Sequence, residues 1–325
     1  MARLQTYDMA VGFGQGSKRT TLLKGLNLKL EQGSLVALLG RNGAGKSTLI
    51  RAITCDNAPI EGSVEIDGNP ASDITKHQLS RLVALVATER IMGGAFTISE
   101  LVALGRQPHT GFLGRLSKHD KEVVSQCLEA VGISHKAQQH VASLSDGERQ
   151  KAMIAKALAQ ETPIIVLDEP TAFLDVASRI ETMQLLHKLA HEQNKAVLLS
   201  SHDISQSLLL ADELWVITSD HEVVTGTTEQ VVMSGAMDRV FGDTSIFFNG
   251  NLCDYEAQLP TVATVRINCD DNNLARCMTN ALLRNGIAVD ETSDIIIKVD
   301  DVNHITLPDG KIASSVKEVV KYFNK

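Results

Sequence analysis

The sequence predicts an α/β fold over its first three quarters, followed by a small α+β unit. Two observations carry the first part. The runs "SLVALL" (34–39), "PIIVL" (163–167) and "AVLLSS" (196–201) are apolar without alternation, the pattern of parallel strands buried on both faces. The first of them runs through a glycine-rich turn into "KSTLIRAI", which has helix-forming spacing. A third observation predicts the appended unit: beyond residue 245 the pattern changes to short alternating strands and two amphipathic helices.

At 325 residues the chain is longer than one average domain, and 43% hydrophobic residues suffice for a sizeable core. No apolar run approaches the roughly 18 residues a membrane span needs. The segment "MARLQTYDMA" has no apolar signal region, so a cytoplasmic location is expected. The net charge of −8 argues against a nucleic-acid surface, and no nucleic-acid partner is expected. Five cysteines, an odd number without C-x-x-C spacing, read as free thiols in a reducing compartment.

The glycine-rich turn is Gly40-Arg41-Asn42-Gly43-Ala44-Gly45-Lys46-Ser47, with Thr48 next. This is the pattern G-x-x-x-x-G-K-S between a buried strand and a helix. Glycines let several N–H groups face one anion, and the helix N-terminus adds partial positive charge there. Lys46 reaches β- and γ-phosphates, and the Ser47 hydroxyl ligates Mg²⁺. A nucleoside triphosphate and Mg²⁺ are therefore expected, with residues 40–48 as the phosphate cradle.

The second run ends in Asp168-Glu169, which puts two carboxylates at the C-terminal edge of the sheet, where open α/β sheets bind ligands. Asp168 is the expected metal residue, and Glu169 the residue that orients or deprotonates the attacking water. The third run ends at His202, whose imidazole can hydrogen-bond a γ-phosphate.

Between these sites lies "SLSDGERQKAMIAKALA" (143–159), polar and tight at first, then helical. Leu144-Ser145-Asp146-Gly147-Glu148 resembles the ABC signature, usually LSGGQ. With the order of P-loop, signature, Asp-Glu strand, "FLD" and His, residues 3–245 resemble an ABC-transporter ATPase subunit. The resemblance implies a P-loop NTPase fold: a RecA-like core with an antiparallel β edge and an inserted helical subdomain, about residues 88–158. It implies that Phe13 stacks on adenine. Ser145, Gly147 and Glu148 would contact a γ-phosphate held by a second copy, and Asp175 would cross the interface of a head-to-tail ATP-sandwich dimer. Where the family has a metal-side Gln, this chain has Thr88 followed by Glu89. Thr88 is the expected replacement and Glu89 the alternative.

"ISELVALGRQPHTGFLGRLSKHD" (98–120) resembles the ATPases of importers for iron–siderophores, haem and vitamin B12. The family's partner for this subdomain is a polytopic permease, which would hold the chain peripherally on the inner face of the membrane. The alternatives are an importer of another metal or small solute, and an ABC ATPase that works without a channel. One cassette, without a long coiled-coil insertion, favours the importer.

The cassette is expected to cover 1–245 and the accessory α+β domain 246–325. In the latter, "TVATVRIN" and "DIIIKV" read as strands, with "NHITL" as a hairpin partner. Asp271 is placed to cap one helix, and Ser315 with Glu318 to box the start of the last.

Overall fold

The structure is a computed structural model that describes residues 1–14, 19–87, 96–111, 114–242, 244–250 and 252–323. Thr88 and Glu89 lie outside the described residues. The chain divides into two compact units. One comprises Met1–Asp243 with Phe248–Asp254, the other Thr244–Phe247 with Tyr255–Lys325.

The larger unit is built on a six-stranded sheet. Its order is Val223–Thr227, Glu213–Ile217, Leu35–Leu39, Ala196–Ser200, Ile164–Leu167, Val83–Val86. All neighbours are parallel except the first pair. The run ending at His202 therefore lies between the run entering the glycine turn and the run ending in Asp168-Glu169. Alternation along each strand buries both faces, as parallel sheets require. Leu35, Ile165, Leu167, Val197 and Leu199 enter one core with the helices Ile98–Ala103, Lys118–Ala130, Asp146–Ala159 and Val176–His191. Val36, Leu38, Ile164, Val166, Ala196 and Leu198 enter a second core with Leu49, Ile50 and Ile53 of the helix Lys46–Ile53. The antiparallel strands form a five-stranded sheet of their own, centred on Ala2–Phe13, whose inward residues Leu4, Met9 and Val11 close that second core.

The helical subdomain is cut out by its caps. Thr97 with Glu100, Ser117 with Asp120 and Ser145 with Glu148 each form a reciprocal capping box. The "GR" of "GRQPH" is a packing device. A Cβ on Gly105 would lie 2.1 Å from the Lys156 carbonyl oxygen. Arg106, 2% exposed, donates to Asp120 at 2.9 Å, the Ala159 carbonyl at 2.7 Å and Glu161 at 2.5 Å.

The smaller unit has a five-stranded sheet in the order Ile287–Val289, Ala263–Asn268, Ile296–Asp301, His304–Thr306, Ile312–Ala313. The first three are parallel and the rest antiparallel. Val265, Met278, Leu282, Ile297, Ile305 and Val319 form its core with the helices Asn272–Leu283 and Val316–Phe323. Asp271 caps the first helix. The expected box at Ser315 is corrected: the Glu318 carboxylate accepts from the Ser314 N–H and hydroxyl, one residue earlier. At the boundary a strand, Ile246–Asn249, pairs with Asp254–Ala257.

Candidate active site

Three strand ends meet here. The strand Leu35–Leu39 turns at Gly40, where a Cβ would approach the Ile217 Cβ to 3.1 Å. The turn then ends at Gly45, whose φ of 108° is left-handed and suits glycine. The helix begins at Lys46. The Lys46 side chain is 5% exposed and folds back over the turn, donating from Nζ to the carbonyls of Gly40 at 2.9 Å and Arg41 at 3.3 Å. Nζ also stands 4.0 Å from Glu169 Oε1. Burial pushes the Lys46 pKa down, against the upward pull of Glu169 and Asp168. This is a cation half-satisfied by the carbonyls of its own turn. The loop face is open at Gly43, where a Cβ would meet nothing within 4 Å. The Arg41 guanidinium lies 5.6 Å from the centre of the Phe241 ring, a cation–π distance.

Glu169 follows Asp168 in a left-handed conformation, φ 51°. For a residue other than glycine this costs on the order of 1–3 kcal/mol, so its surroundings must hold it. His202 does part of this: its Nε2 lies 2.5 Å from Glu169 Oε1. The other holder is Ser200. Its Oγ donates to Asp168 Oδ1 at 2.6 Å and accepts from the Glu169 N–H at 2.9 Å.

Lys46, Glu169 and His202 thus form one contact group, joined to Asp168 through Ser200. Phe13, 58% exposed, lines a cavity of about 620 Å³ with Ser47, Thr48 and Arg51, at the start of the same helix.

The comparisons agree in kind. The family model for ABC transporters matches residues 23–172. An uncharacterized ABC transporter ATP-binding protein of Methanocaldococcus jannaschii is 37% identical over 238 residues, 73% of this chain and 81% of that protein. The ferric enterobactin transport ATP-binding protein FepC of Escherichia coli is 35% identical over 242 residues, 74% of this chain and 88% of that protein. The chain belongs to the ABC transporter ATP-binding family. Among solved structures, the dimeric cassette MJ0796 in a post-hydrolysis state with ADP and Pi superposes with a TM-score of 0.60. It is 28% identical, covering 69% of this chain and 98% of that one. The protein is an ABC-type ATPase with a P-loop NTPase fold and a nucleotide site.

In this ABC ATPase the residues that resemble the signature are held by partners near their own helix. Ser145 caps its helix: its Oγ accepts from the Glu148 N–H at 3.3 Å. The Glu148 carboxylate accepts from the Ser145 N–H at 3.1 Å and from Lys136 at 2.5 Å. A Cβ on Gly147 would stand 2.7 Å from Ser178 Oγ. Ser178 in turn donates to Asp175, which caps the helix Val176–His191. Ser178 therefore sits between the signature and Asp175. Sequence reasoning missed Ser200 and Ser178. A serine at a strand end or in a first helical turn carries no signal of its own.

Proposed function

We propose that this ABC ATPase is the ATP-hydrolysing motor of an importer for an iron–siderophore, haem or cobalamin. It works as a head-to-tail pair on the inner face of a polytopic permease. The observation that carries the hydrolytic reading is the single contact group of Lys46, Glu169 and His202 with Asp168 behind it. The relatedness to a ferric enterobactin transport protein supports the chelate class of cargo.

Residues 40–48 hold the phosphates through backbone N–H groups. Lys46 exchanges the Gly40 and Arg41 carbonyls for β- and γ-phosphate oxygens. Phe13 stacks on adenine at the mouth of its cavity. The donor set fits Mg²⁺: hard oxygens from Ser47 and Asp168, completed by Thr88 or Glu89 and by the phosphates themselves. When bound, Mg²⁺ supplies charge neutralisation on the phosphates.

Glu169 accepts the proton of the attacking water, or orients it. His202 aligns Glu169 and offers a hydrogen bond to the γ-phosphate. The signature acts in trans. With the Glu148 carboxylate engaged by Lys136 and Ser145, what its helix offers a partner's γ-phosphate is the Ser145 hydroxyl, the N–H groups near Gly147 and the helix dipole. Asp175 lies beside it through Ser178. ATP then glues two copies and hydrolysis releases them, a ligand-driven switch.

The test is transport. The chain is reconstituted in proteoliposomes with its permease and substrate-binding protein, and uptake of ferric siderophore, haem and corrinoid is measured with ATP inside. ATP-dependent uptake of one of these supports the reading. Uptake undiminished in Lys46→Ala, or an ATPase rate that the permease never changes, contradicts it.

A further inference from the structure

The geometry assigns Ser200 a positioning role in hydrolysis: one buried hydroxyl holds the metal-side carboxylate of Asp168 and the backbone of Glu169 in a single register. The inference rests on the reading of Glu169 as the residue that activates water.

Ser200 is the last residue of the strand Ala196–Ser200 and is fully buried. It pairs with Leu38 on the side of the P-loop strand, and the next residue, Ser201, donates its N–H to the Leu38 carbonyl at 3.1 Å. The backbone that carries the hydroxyl is therefore fixed to the strand that carries the phosphate cradle. On its other side Oγ makes two bonds of opposite sense. Its proton goes to Asp168 Oδ1 at 2.6 Å, and its lone pair takes the Glu169 N–H at 2.9 Å.

Both bonds have a purpose that packing alone does not need. The first fixes the rotation of the Asp168 carboxylate, as outer-shell donors do for metal ligands. The second secures the amide of a residue held in the left-handed region, φ 51°. His202, two residues on, reaches the Glu169 carboxylate itself at 2.5 Å. The end of one strand thus holds Glu169 twice, by backbone through Ser200 and by side chain through His202. Alanine, which lacks the hydroxyl, would hold neither.

The experiment uses the full chain as parent, Ser200→Ala, Ser200→Cys, Ser200→Thr and Glu169→Gln. It measures ATPase rate over a Mg²⁺ titration, ATP affinity by calorimetry in EDTA, and melting temperature. Ser200→Ala is expected to lower kcat by about 10–100-fold and to raise the Mg²⁺ needed for half-maximal rate, the usual cost of losing an outer-shell partner. ATP KM and affinity in EDTA should match the parent, the variant should stay folded at the assay temperature, and Ser200→Thr should recover most of the rate. Parent-like kcat and Mg²⁺ dependence in Ser200→Ala overturn the inference. So does a rate loss that follows a lowered melting temperature and is not recovered by Thr. If Ser200→Ala does not fold, Ser200→Cys, close in shape but a weak hydrogen-bonder, decides by the same two outcomes. Glu169→Gln separates the levels. Its hydrolysing at the parent rate removes the underlying reading of Glu169. An inactive Glu169→Gln beside a parent-like Ser200→Ala removes only the role of Ser200.

Discussion

The imidazole Nε2 of His202 lies 2.5 Å from the carboxylate Oε1 of Glu169. Both residues stand at strand ends, 33 positions apart, and both are partly exposed. A histidine with no task at a strand end has no reason to face a carboxylate already 4.0 Å from Lys46. His202→Ala is predicted to lower kcat by about 10²-fold or more, the scale for losing one preorganised donor at a transferring group. Combined with Glu169→Gln it should add little, because residues that act as a unit are not additive. Steady-state kinetics of the two single variants and the double variant check this.

Lys46→Ala removes a buried ammonium that donates to two loop carbonyls and stands 4.0 Å from a carboxylate. Hydrogen bonds to charged groups contribute about 1.5–3 kcal/mol, so ATP affinity should fall by about 10–100-fold. Calorimetric titration with ATP measures it, and an unchanged affinity would remove residues 40–47 from the phosphate site.

Arg106 lies in the helical subdomain, away from this chemistry. Arg106→Met should destabilise the fold by about 3–5 kcal/mol, because it leaves Asp120 and Glu161 without their buried partner. Urea unfolding gives the value. There is also a pH signature. Asp120 is held far below the usual carboxylate range by the Ser117 hydroxyl, then the Ser117 N–H, then Arg106. A lowered carboxylate pKa gives stability that is present above the ordinary Asp value and lost as pH falls below it. Without Arg106 part of that hold is gone, so acid unfolding should begin at a higher pH than in the parent.

A chain ended after Asp254 should fold and bind ATP. The larger unit has its own two cores, and the smaller unit has a separate one around Val265, Met278 and Ile297. A cooperative melt that ATP raises is the expected result; aggregation of the truncated chain would show that the units do not fold independently.

Much of this was legible because it is local. The P-loop, the Asp168-Glu169 strand end and His202 each sit in a contiguous pattern whose strand-to-loop context is itself readable. Asp271 announces its helix through its position before an apolar face. What escaped is non-local. Ser200 meets Asp168 only because the sheet order places residues 196–200 beside residues 164–167. Ser178 meets Gly147 only because two helix N-termini lie side by side. The "GR" segment was read as a mark of the importer group, and its cause is steric: Gly105 passes the Lys156 carbonyl too closely for a side chain. The box at Ser315 slipped by one residue because Glu318 reaches both Ser314 groups from the next turn.

The most direct test of the account is ATP hydrolysis by Glu169→Gln, followed beside the molar mass of the same variant in ATP. The substitution keeps the shape of the side chain and removes the carboxylate proposed as the base. The rate should fall by about 10²–10⁴-fold, the contribution of a positioned general base. The mass should move from one copy to two when ATP is added and stay there. A variant that hydrolyses ATP at the parent rate, or that stays a single copy in ATP at every concentration, would contradict the account.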